Sequence, residues 1–169
     1  MNTTLKQHAV PSPWANATLL ITTVIYLLIN GAGLWEAANV VPLWTSAPPA
    51  SFHIFQGEYG LRYKAFWIIS HSIHEVFFIA AIILNWRIKY RKNPLLIIFV
   101  IHFSVRVWTL AYFAPILISF WDYPYSETVD VALKAKADAW EFWSNVRGAI
   151  FMLLSFALIP LNKQFFILK

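Results

Sequence analysis

The chain contains no cysteine. Disulfides, thiolate metal sites, cysteine nucleophiles and thiol redox chemistry are thereby excluded. Charge is scarce as well: 12% of the residues are charged, against 59% hydrophobic and 18% aromatic. For 169 residues that balance is too apolar for a soluble domain and fits a chain crossing a membrane several times. Acidic residues number only eight, leaving a formal charge of +5. The excess needs no nucleic acid, because the basic residues gather where apolar runs end. Repeats and low-complexity tracts are lacking, and the length suits one transmembrane domain over 1–169. A short basic start leading into an apolar run, the mark of a cleaved signal, is also missing. Residues 1–17 are polar and hold Pro11 and Pro13, so the first apolar run is expected to stay as a helix.

Four segments are long enough to span a ~30 Å hydrocarbon core: 17–41, 65–86, 94–120 and 139–161. They predict an all-α, integral-membrane, antiparallel four-helix bundle. A long, ordered outer loop over 42–64 carries Pro48-Pro49 and a short helix near Phe52–Tyr59. A tight basic turn over 87–93 follows, and Pro94 suits the first turn of the third helix. Between 122 and 138, Ser126 with Glu127 and Asp130 predicts a short amphipathic surface helix. Lys6, Arg87, Lys89, Arg91, Lys92, Lys163 and Lys169 share one side; Arg62, Lys64, Lys134 and Lys136 share the other. Both termini are therefore expected in the cytoplasm, with the protein in the plasma or inner membrane. The sequons at Asn2 and Asn16 then face the wrong side for glycosylation. Trp14, Trp44, Trp86, Trp121 and Trp143 fall where an interfacial aromatic belt belongs.

Inside these apolar segments sit Glu36, His71, His74, Glu75, His102, Arg106, Glu141 and Arg147. A charged side chain near the bilayer centre costs roughly 2.5–3.5 kcal/mol on insertion scales, so such groups turn inward and pair. At ~1.5 Å per residue, His71, His74 and Glu75 lie roughly 8–15 Å below the outer surface, with Glu141, Asn145 and Arg147 level with them. Arg106 falls near the midplane, His102 a turn deeper, and Glu36 near the outer end of the first helix. The inner halves of helices one, two and four read as nearly featureless. One pocket in the outer half is the expectation. Trp67, His71, His74, Glu75 and Phe78 form a single helical stripe, and His102–Arg106 and Glu141–Asn145 are i, i+4 pairs.

Three chemistries could use such a pocket. His71, His74 and Glu75, completed by Glu36 or Glu141, have the residue types that hold a mononuclear iron, copper, manganese or zinc. They lack the spacing of zinc proteases or di-iron bundles. Metal-free acid–base catalysis would use Glu75 or Glu36 as base, His71 as proton shuttle, and Arg106 and Arg147 to hold an oxyanion. Haem b between the second and third helices is the weakest option, since His71 and His102 are offset by roughly 10 Å, with His74 closer to level. Buried charges also staple helices without any chemistry.

The run from Ala137 to Arg147, with its Trp140-x-x-Trp143-x-Asn145-x-Arg147 pattern, resembles the start of the last helix in the anthrone oxygenase-like membrane proteins. That resemblance implies a small four-helix protein that oxidises polycyclic anthrones to anthraquinones, with Trp140, Trp143, Asn145 and Arg147 near the substrate. The expected function is an integral-membrane oxidative enzyme for a lipophilic aromatic or polyketide-like molecule, with Trp67 and His102 among the substrate contacts. The alternatives are a non-catalytic accessory protein with charge-stapled helices, and a small-molecule or proton transporter. The bilayer is the expected partner, and a homo-oligomer stays open.

Overall fold

The computed structural model describes residues 10–163, so Lys6, Lys169 and the Asn2 sequon lie outside the described residues. Four helices are long and apolar enough to cross a membrane: α1 Pro13–Thr45, α2 Lys64–Leu84, α3 Lys89–Trp121 and α4 Val131–Asn162. They pack as an all-α four-helix bundle, and consecutive helices run in opposite directions. One end, the turn end, carries Ser12, the tight 85–88 turn and Asn162. The other, the loop end, carries residues 46–63 and 122–130.

Local chemistry sets the boundaries. α1 begins at Pro13 because Ser12 Oγ accepts from the Ala15 amide at 3.1 Å and proline suits the first helical position. It breaks at Val40, and Val41–Thr45 continues as a short turn of helix. The surface helix expected after Ser126 does not form. Ser126 Oγ instead accepts from the Thr128 amide, and Asp130 Oδ1 caps α4 by accepting from the Leu133 amide at 2.9 Å. α4 therefore starts well before residue 139. α3 starts at Lys89, so Pro94 lies inside the helix and not in its first turn. Farther along, Pro115 lacks an amide donor, and Thr109–Phe113 just ahead of it winds as a π turn, with Ala114 N donating to Thr109 O.

α1 packs most closely against α2 and α4. Polar links tie the helices: Thr22 Oγ1 donates to Phe77 O at 3.0 Å, Asn30 Nδ2 to Phe151 O at 3.0 Å, and Asn162 Nδ2 to Thr23 Oγ1 at 2.9 Å. Two apolar cores result. Leu19, Phe78, Leu95, Leu154 and Leu158 fill the turn-end half. Trp44, Phe52, Phe113, Phe120 and Trp140 fill the loop end. Outward faces are apolar: Val76, Ile83, Ile97, Leu110 and Leu153 are all exposed, as suits a surface set in lipid.

Three expectations change here. Trp44 is fully buried in the loop-end core, not in an interfacial belt, whereas Trp14 and Trp86 do face outward. Arg91, read as part of the exposed basic turn, is also fully buried; its Nη1 donates to Asn16 Oδ1 at 2.7 Å and Asn85 Oδ1 at 3.0 Å. This buries the Asn16 sequon. The turn-end half is thus not featureless: Asn16, Thr22, Thr23, Asn85, Arg91, Ser155 and Asn162 are all buried there.

Candidate active site

The polar groups of the inward stripe of α2 meet partners from α1 and α3 just above the turn-end core. Phe78 turns inward on α2, and Glu75 and His74 stand one turn before it. From α3, His102 Nε2 meets Glu75 Oε1 at 2.8 Å, and Arg106 Nε lies 3.6 Å from the same oxygen. From α1, the Tyr26 hydroxyl meets His102 Nδ1 at 2.8 Å. One tautomer satisfies the whole chain: Tyr26 O–H donates to Nδ1, and Nε2–H donates to the carboxylate. Glu75 Oε2 makes no hydrogen bond among the described residues.

Exposure grades sharply across this group. His74, His102 and Tyr26 are 0%, 1% and 2% exposed. Arg106 and Glu75 are 19% and 26% exposed at their side chains. α2 and α3 also approach each other less closely than α1 approaches α2. The carboxylate and guanidinium are thus the reachable pair, and the imidazole and phenol stand behind them.

Aromatic faces hold the remaining histidines. His74 stacks on Tyr26 with ring centroids 4.3 Å apart and touches His102 edge-on at 5.2 Å. Among the described residues, neither nitrogen of His74 has a hydrogen-bond partner. His71 stacks on Trp67 at 5.5 Å, and Arg106 and Arg147 both lie within its electrostatic range.

Toward the loop end, Glu36 of α1 lies within electrostatic range of Arg147 of α4, with Tyr63 and Trp67 nearby, and makes no ion pair among the described residues. Arg147 packs its guanidinium over Phe113, 4.2 Å from the ring centroid, and donates to Ser144 Oγ at 2.9 Å. Tyr63 precedes α2; burial and then the Glu36 charge push its phenol up, so it stays a proton donor at neutral pH.

Not every expected residue joins. Glu141 Oε2 accepts from Thr45 Oγ1 at 2.6 Å, beyond the Val40 break and apart from the Glu75 group. Asn145, expected beside it in the pocket wall, is exposed. Trp140 is buried and donates from Nε1 to Phe113 O at 3.0 Å, while Trp143 is 44% exposed. Among the described residues, no three His, Asp or Glu side chains are grouped to hold a metal ion. His71 turns to Trp67, His74 to Tyr26, Glu75 to His102 and Glu36 toward Tyr63. Tyr26 was missed from the sequence. The available signal was a tyrosine at the centre of a span, away from either interface.

No protein-family model, curated protein or solved structure matches this chain.

Proposed function

We propose that this chain is an integral-membrane enzyme that removes a proton from a lipophilic aromatic substrate, with Glu75 as the base and Arg106 holding the resulting oxyanion. One observation carries the reading: the two groups needed for that chemistry are the reachable ones, and Glu75 keeps one oxygen unengaged. A positioned general base contributes about 10²–10⁴-fold. His102 and Tyr26 fix the carboxylate in place. Arg147 and Trp67 supply charge and aromatic surface on the loop-end side of the site. The basic residues of the turn end favour a cytoplasmic side for it, with the site near the middle of the bundle.

The oxidative step follows from the resemblance of the last helix to the anthrone oxygenase-like proteins. Deprotonating the methylene between two aromatic rings of an anthrone gives a phenolate-like anion. Dioxygen then oxidises that carbon, so the CH2 becomes a carbonyl and one O2 yields one water.

The test is oxygen uptake and anthraquinone formation from anthrone by protein in lipid nanodiscs, with elemental analysis of the same sample. Activity in the wild type and its loss in Glu75→Gln support the reading. Stoichiometric iron, copper, manganese or zinc that is lost in His71→Ala would replace it with metal-assisted oxidation. A non-catalytic reading rests on the same bonds, since Tyr26, Glu75 and His102 tie α1, α2 and α3 together. It predicts no turnover and a loss of stability alone.

A further inference from the structure

A cavity of about 680 Å³ lies at the loop end, between the start of α2 and the end of α3. That volume falls in the ~300–1,000 Å³ range of small-molecule sites. Its floor is apolar: Leu61, Ile68, Phe55 and Trp121 line it, the last two with ring centroids 6.5 Å apart. Its rim is cationic, with Arg62 and Lys64. Neither makes an ion pair with an acid among the described residues. Asp122 also lines the cavity, so its rim keeps a net positive charge. Among the described residues the buried Trp121 Nε1 has no hydrogen-bond partner.

The walls are held in place. Gln56 Nε2 donates to Trp121 O at 3.2 Å and Tyr123 O at 2.9 Å, strapping the loop to the end of α3. Leu61 N donates to Ile54 O at 2.8 Å and closes the loop on itself. Gly57 has φ +75°, and a Cβ on Gly60 would stand 2.6 Å from Gln56 O. The loop therefore needs glycine at both positions. On α2, Lys64, Ile68 and Glu75 fall at i, i+4 and i+11, one face of the helix. Lys64 and Glu75 are about 16 Å apart along the axis. The cavity thus opens at the loop end of α2, about three turns of helix from Glu75.

We infer that this cavity is the capture site for the substrate and that it selects flat aromatic molecules carrying a negative charge, such as a carboxylate or ionised phenol. The rings lie on Phe55, Ile68 and Trp121, and the charge sits between Arg62 and Lys64. The inference rests on the enzyme reading only for the role of the ligand; the binding is tested without turnover.

The probe is anthracene-9-carboxylate, compared with its neutral carboxamide. Both are titrated into protein in phosphatidylcholine nanodiscs, with empty nanodiscs as baseline. The wild type is expected to prefer the carboxylate by about 5-fold, the value of one modest ion pair. Arg62→Gln/Lys64→Gln should erase the preference, while Arg87→Gln/Lys89→Gln at the turn end should leave it intact. Equal binding of the two probes, or a preference that survives the Arg62/Lys64 double variant, overturns the inference. So does full displacement of the carboxylate by phosphatidylglycerol, which would assign the site to lipid headgroups. Loss of carboxylate preference with anthrone turnover intact would leave the enzyme reading standing for neutral substrates.

Discussion

The Glu75–His102 bond is the joint of the site, and its strength can be measured. His102 is 1% exposed, so removing the carboxylate strands its Nε2–H in an apolar interior. In soluble proteins an unpaired buried donor costs about 1–3 kcal/mol. Polar pairs between membrane helices measure lower, about 0.6 kcal/mol on average and ~1.7 at most. The His102 end is dry and the Glu75 end is 26% open, which places the pair in the upper part of that lower range. We expect a coupling of about 1–1.5 kcal/mol. The assay is a double-mutant cycle of Glu75→Ala, His102→Ala and the double variant, unfolded reversibly by SDS in mixed micelles and followed by circular dichroism. Glu75→Gln belongs beside it, because an amide oxygen still accepts from His102 and should retain more than half of the coupling. A coupling within the ~0.3–0.5 kcal/mol scatter of independent sites would refute the network.

Three further outcomes follow from the same geometry. Tyr26→Phe removes the donor to His102 Nδ1 and should destabilise the bundle by about 1 kcal/mol in the same SDS titration. Asp130→Ala removes the cap of α4 and should cost about 1 kcal/mol, with faster hydrogen exchange confined to the first turn after Asp130. Gly60→Ala forces the loop away from Gln56, where the new Cβ would stand 2.6 Å from its carbonyl. It should weaken anthracene-9-carboxylate binding and also lower the thermal midpoint, because the clash is with backbone and the loop itself must shift.

Apolar length made the four spans legible, since lipid demands about 20 residues whatever their order. Their ends were less so. Hydropathy follows only the stretch in lipid, so Lys134, Lys136 and Asp138 looked like loop. They form the projecting first turns of α4, where Lys134 pairs with Asp138 one turn on. Pro94 suited a first turn by propensity, yet the helix begins earlier and carries Arg91 inward to Asn16 and Asn85. In the site, the stripe on α2 was readable because one helix fixes its own phase. Which neighbour a stripe faces is a tertiary fact. Glu141 meets Thr45 only because α1 breaks at Val40 and its last turn, Val41–Thr45, packs against the first half of α4. Tyr26 was hidden because one tyrosine among leucines and isoleucines is compatible with a core or with a site.

The central claim is that Glu75 abstracts a proton from carbon. The most direct measurement is deuterium uptake at the methylene of anthrone, in D2O without oxygen, catalysed by protein in nanodiscs. Leaving out the oxidant isolates the base. The account predicts exchange faster than in empty nanodiscs for the wild type, and a drop of at least ~10²-fold in that acceleration for Glu75→Gln with the fold intact. Exchange no faster than in empty nanodiscs, or equally fast in Glu75→Gln, would contradict it.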